Sequence, residues 1–176
     1  GVSSRPDFIR AVYGAYAAAH GKTRFGDKTP DHVMNMPRMG SLFPEARFVH
    51  LIRDGRDVAL AMRDTSWGPK TMADAGRHWA ERVQQGRADG RRLGPGRYIE
   101  ARYEDLVSNA EVVLEELCGF LGLPFAESMV DYRAAADRQL HMSPAPDEDA
   151  SLRKPVTAGL RDWRTQMTAE EIAGIE

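Results

Sequence analysis

The chain has 176 residues, 42% hydrophobic and 28% charged, with a net charge of −2. That length suffices for one domain with a sizeable core, and the composition is ordinary for a globular protein. It excludes the broad cationic field of general nucleic-acid binding, and no stretch approaches the roughly 18 apolar residues of a membrane-spanning helix.

The elements follow in chain order. Ser4 to Ala19 reads as a helix, with Phe8, Val12, Ala15 and Ala19 at helical spacing. "HGKTRFG" breaks it. In "KTPDHVMNMPRMGSLFP", Thr29 can cap a new helix, with Pro30 at its first position and Asp31 in its first turn. Pro37 interrupts that segment and Pro44 closes it. Arg47 to Ile52 is an apolar strand of the kind covered on both faces. Asp54 to Arg63 is a helix, and "TSWGPK" is a loop. Thr71 and Asp74 have capping-box spacing and open a long helix through Ala88, after which "GRRLGPG" turns the chain. Arg97 to Tyr103 is a second strand. Ser108 and Glu111 have capping-box spacing and start a helix that stops at Gly122. "AAADRQLHMSPAPDEDASLRKPVTAG" is weakly patterned and reads as loop. Thr168 and Glu171 begin a last helix. Strand and helix alternate, so the class is α/β with a parallel sheet flanked by helices.

Four charges crowd the joint after the first strand: Arg53, Asp54, Arg56 and Asp57. In an open α/β sheet, ligands bind at the carboxyl ends of the strands, where Arg53 stands. Asp54 and Asp57 can finish the start of the next helix. Arg53 cannot, because the positive end of the helix dipole repels a cation. An anion bridging Arg53 and the helix N-terminus removes the conflict, and a phosphate is the obvious one. The plainer alternative pairs Arg53 with Asp57. Three further features point to a nucleotide with several phosphates: Lys28 before a helix start, Tyr103 at the end of the second strand, and the basic pair Arg153–Lys154.

Read together, "GDKTPDH", "FPEARFVHLIRDGRDVALAM", "RYEDLVSNAEVVLEELCGFLGLPF" and "RKPVTAGLRDWRTQMTAEEIAGIE" resemble a bacterial sulfotransferase that uses 3′-phosphoadenosine 5′-phosphosulfate. The resemblance runs in family order from Gly26 onward and implies a fold like that of the P-loop nucleotide kinases. It implies that Arg53 holds the donor's 3′-phosphate. Where the family has a serine on the same phosphate this chain has Ala61, a lost hydroxyl worth on the order of 1 kcal/mol. It implies that Tyr103 contacts the adenine and that Arg153 and Lys154 close over the 3′-phosphate, with Pro155 where the family often has glycine. Trp163 belongs to the same closing segment, or is a core anchor. Asp27 occupies the place of an acidic residue that takes the acceptor's proton, against a plainer reading as a turn residue. Lys28 would neutralise charge on the breaking bridge oxygen. Trp67 and His32 stand on the acceptor side.

The family's glycine- and serine-rich phosphosulfate loop is absent from the sequence. Residues 1–176 are therefore expected to be one sulfotransferase domain cut at both ends, its C-terminal part. The five histidines lack ligand spacing, so no metal is expected. The acceptor is expected to be a hydroxyl, or less readily an amine, on a lipid, a sugar or a small phenol. A single cysteine suits a reducing, cytoplasmic setting. The competing readings are a degenerate, non-catalytic binder of the nucleotide and a small-molecule kinase. A kinase needs magnesium ligands and a complete Walker loop, neither of which the sequence has.

Overall fold

The computed structural model describes residues 4–63, 65, 68–131 and 162–176. Helix α1 (Arg5–Ala19) starts at Ser4, whose hydroxyl accepts from the Asp7 N–H at 3.3 Å. A 3-10 segment (Pro30–Asn35) leads into α2 (Met36–Leu42), strand β1 (Phe48–Ile52) and α3 (Gly55–Arg63). Then come α4 (Met72–Leu93), β2 (Tyr98–Arg102), α5 (Tyr103–Ser108), α6 (Ala110–Leu121) and a 3-10 turn (Glu127–Met129). Two short helices, α7 (Trp163–Gln166) and α8 (Ala169–Ile175), follow. Among the described residues the sheet is β1 and β2, paired in parallel from Phe48↔Tyr98 to Ile52↔Arg102. The fold is thus α/β, a parallel sheet flanked by helices.

Helix α4 is the hub, packing against α2, α3, α8, both strands and the 3-10 segment. Thr71 caps it, accepting from the Asp74 N–H at 3.1 Å. It runs past the expected stop at Ala88 because the residue that ends it is Gly94, at φ +82°. Its interior glycines serve as seats. A Cβ on Gly86 would lie 2.7 Å from the His50 ring, and one on Gly90 would lie 2.4 Å from the Tyr98 ring. His50 and Tyr98 thus pack directly on the helix backbone. The Tyr98 hydroxyl donates to Glu100 at 3.0 Å and lies 2.7 Å from His50 Nδ1, so the ring proton sits on Nδ1. Arg87 closes the chain by binding Glu100 at 3.0 Å. Burial lowers the His50 pKa and raises that of Tyr98.

The details differ from expectation in four places. Pro37 does not interrupt a helix; it sits in the first turn of α2, where its missing N–H costs nothing. Tyr103 is the first residue of α5, not the end of a strand. Asn109 rather than Ser108 precedes α6, because the Ser108 hydroxyl bonds back to the Glu104 carbonyl at 2.9 Å. Finally, Phe8 and Val12 are 60% and 51% exposed, as are Val49 (40%) and Leu51 (49%) on β1. Among the described residues β1 is therefore covered on one face only, and the packed face of α1 carries Arg10, Tyr13 and the buried Ala17.

The glycine seats give a matched test. Gly90→Ala should lower unfolding free energy by about 1 kcal/mol or more, because overpacking against a ring tied by hydrogen bonds outweighs the helix-propensity gain. Gly119→Ala on α6, with nothing within 4 Å of its Cβ, should raise it by about 0.5–1 kcal/mol. Urea denaturation reads both; equal effects would mean that Tyr98 does not rest on Gly90.

Candidate active site

The first cluster lies at the β1–α3 joint. Asp54 accepts from the Arg56 N–H at 2.9 Å, capping α3, and its carboxylate also takes the Arg56 guanidinium at 2.8 Å. Those bonds hold its carboxyl below the usual range. The Asp54 N–H donates to Glu104 at 2.8 Å, so the carboxyl ends of the two strands are clamped together. The Trp79 indole N–H, from α4, donates to the Arg53 carbonyl at 3.0 Å. The same ring fills the space over Gly55, where a Cβ would lie 2.7 Å from it. Gly55 is therefore required for close approach, not for an unusual backbone.

The Arg53 side chain is 23% exposed. Its guanidinium lies 4.8 Å from the centre of the Tyr103 ring and 3.6 Å from an Asp57 oxygen. Asp57 does not reach back to cap α3 as expected; its other oxygen accepts the Trp163 N–H at 3.0 Å. Trp163 is anchored there, with Arg56 3.7 Å from its ring centre. Ala61 is half-buried on α3, one turn beyond Asp57 and on the same face.

The second cluster centres on Asp27. Tyr13 donates to Oδ2 at 2.6 Å, Thr29 donates to Oδ1 at 2.8 Å, and His32 Nε2 lies 2.7 Å from Oδ1. Thr29 stands in the capping position of the 3-10 segment, yet its hydroxyl is turned to Asp27 instead. These bonds, led by that from Tyr13, hold the Asp27 carboxyl below its ordinary range. Lys28 is exposed beside it. The structure thus brings Asp27 and His32 together, and Arg53 and Tyr103 together. Trp67, Arg153 and Lys154 lie outside the described residues.

Helix α4 spaces the two clusters. Trp79 holds the Arg53 joint. Three residues on, Arg82 binds Asp31 at 2.7 Å, and Val33 then packs at Gly86. Residues three apart are about 4.5 Å apart along a helix and share a face. A cavity of about 420 Å3 opens elsewhere, lined by Arg63, Thr65, Lys70, Met72 and Glu171. Met72 is roughly 15 Å along α4 from Arg82, so this cavity stands apart from Asp27.

The profile of the Sulfotransferase family matches residues 3–127. The chain belongs to the sulfotransferase family. It is 27% identical to the nodulation protein NoeE of Sinorhizobium fredii, over 94% of this chain and 44% of that protein. It is 22% identical to a putative protein-tyrosine sulfotransferase of Caenorhabditis elegans, over 89% of this chain and 63% of that one. Among solved structures it matches the sulfotransferase domain from the curacin biosynthetic pathway, with a TM-score of 0.58 and 26% identity. That match covers 69% of this chain and 47% of the solved one. The chain therefore spans between 44% and 63% of the curated relatives' length.

For a sulfotransferase built this way, sequence reasoning missed Tyr13, Trp79 and Glu104. A tryptophan on a helix that also carries three glycines was the available signal for Trp79. Tyr13 gave none, since its partner lies on a loop. The joint yields a direct test. Trp79→Phe keeps a ring over Gly55 but strips the N–H from a part-buried carbonyl. Urea denaturation should show a loss of about 1–2 kcal/mol; no loss would mean that another group holds the joint.

Proposed function

We propose that the protein transfers a sulfuryl group from 3′-phosphoadenosine 5′-phosphosulfate to an acceptor hydroxyl. The observation that carries this reading is the Arg53 guanidinium, reachable from solvent at the carboxyl ends of both parallel strands and beside the start of α3. A phosphate there would meet a cation and the positive end of a helix, in the place where α/β sheets bind ligands. Family membership supports the reaction class.

The donor supplies the sulfuryl group and a bisphosphate leaving group. The chain's own residues do the rest. Arg53 grips the 3′-phosphate, with Asp57 and the Tyr103 ring fixing its direction. Tyr103 gives the adenine a flat partner. Ala61 brings no hydroxyl to the phosphate, so Arg53 carries more of that contact. Arg153 and Lys154 add charge from the closing segment. Asp27, kept ionised by its three donors, accepts the acceptor's proton, and His32 beside it faces the acceptor together with Trp67. Lys28 neutralises the oxygen that leaves. Positioning and charge stabilisation dominate such a transfer, as in phosphoryl transfer. Among the described residues, no group of three or more His, Cys, Asp or Glu could hold a metal ion. No described helix is long and apolar enough to cross a membrane.

Ala61 in place of a phosphate-binding hydroxyl also favours a second reading, a binder that has lost turnover. Nucleotide binding separates the phosphate assignment from a purely structural Arg53. A charge-assisted hydrogen bond is worth about 1.5–3 kcal/mol. In the full-length protein, Arg53→Ala should weaken adenosine 3′,5′-bisphosphate by roughly 10- to 150-fold by calorimetry. Adenosine 5′-phosphate should barely change. Equal losses for both nucleotides, with the fold intact by circular dichroism, would leave Arg53 as the ion-pair partner of Asp57 alone.

A further inference from the structure

Thr29 and His32 follow Asp27 within five residues, so they travel with the loop that carries it. Tyr13 is different. It reaches Asp27 from α1, a separate element, and makes the shortest of the three bonds at 2.6 Å. Helix α1 is itself fixed. Arg10 binds Glu45 at 2.7 Å and the Leu42 carbonyl at 3.2 Å, at the far end of α2. The Tyr13 ring stacks on Phe25, two residues before Asp27, with centroids 5.0 Å apart and planes at 27°. One rigid side chain thus grips both the backbone approach to Asp27 and its carboxylate.

We propose that Tyr13 is the positioning residue of the active site, aiming the Asp27 carboxylate and fixing its loop to α1. This rests on the reading of Asp27 as the proton acceptor. The chemistry favours a phenol. It is rigid beyond χ2, reaches across an element boundary, and leaves the second lone pair of Oδ2 open for an incoming hydroxyl. A base loses rate steeply when its aim wanders, so a tether from a second element serves catalysis as well as folding. The same bond is the largest influence lowering the Asp27 pKa, and it raises that of Tyr13. The other titratable groups at Asp27 are His32 on the 3-10 segment and its chain neighbour Lys28; Asp31 is turned away to Arg82.

Tyr13→Phe keeps the ring and the Phe25 stack and removes only the donor. Two readouts follow. In this chain, the Asp27 side-chain carboxylate carbon is followed by NMR against pH. Losing the donor raises the carboxyl's pKa, so the midpoint should move up. That result is independent of turnover and stands even if the transfer reaction is absent. In the full-length protein, kcat should fall about 2- to 10-fold at unchanged donor KM, and its acid limb should move to higher pH. A tyrosine that merely docks α1 would cost stability and move neither the midpoint nor the limb; that outcome overturns the proposal. Should Tyr13→Phe not fold, fluorotyrosine at position 13 is the second arm. Its more acidic phenol donates more strongly and should move the Asp27 midpoint down, and no movement would overturn the proposal equally.

Discussion

The packing of the Trp79 ring on Gly55 fixes the rest of the site. A strand that ends and a helix that begins within three residues leave backbone groups without ladder partners. Here the Arg53 carbonyl is taken by the Trp79 indole and the Asp54 N–H by Glu104. The joint is thereby held to α4 on one side and to the end of β2 on the other. Any side chain at position 55 would push the ring away and release the carbonyl. With the backbone of Arg53 fixed, its guanidinium can be held in place against the local helix dipole by Asp57 and Tyr103. The cation is thus kept where the helix alone would not have it.

The same helix reaches the other half of the site. Val33 lies on Gly86 and Arg82 meets Asp31, so the 3-10 segment that follows Asp27 is seated about one to two turns along from Trp79. The Arg82 pair is exposed and contributes little by itself. The close approach at Gly86 contributes more, because it leaves no room for the segment to slide. The Arg53 joint and the Asp27 loop are therefore spaced by a helix, an element whose dimensions do not vary, and both rest on the segments it supports.

Much of this was legible in the residues. The charge cluster at 53–57, set between an apolar run and a helix pattern, located the joint before any contact was known. Capping residues Thr71 and Thr168 placed helix starts correctly, because their bonds are local. Thr29 misled for a reason as local as its expected cap: its hydroxyl has another partner two residues back, in Asp27. Gly90 misled because a glycine inside a helix looks like a stop unless the ring that needs its space is visible. Tyr13, Trp79 and Glu104 act over sequence separations of 14, 26 and 50 residues, and no local pattern carries such a contact. The apolar stripe on α1 identified the helix but not the face that makes contact.

In the proposed function the Arg53 and Asp27 clusters have separate jobs, donor binding and proton acceptance. The most direct measurement is the rate at which the full-length protein moves labelled sulfate from the donor to a sugar or phenol hydroxyl, compared with Asp27→Asn. If Asp27 accepts the proton, the variant's kcat falls about 10²- to 10⁴-fold while adenosine 3′,5′-bisphosphate binds as tightly as before. A variant that turns over within a few-fold of the native protein, or that loses nucleotide affinity together with rate, would contradict it.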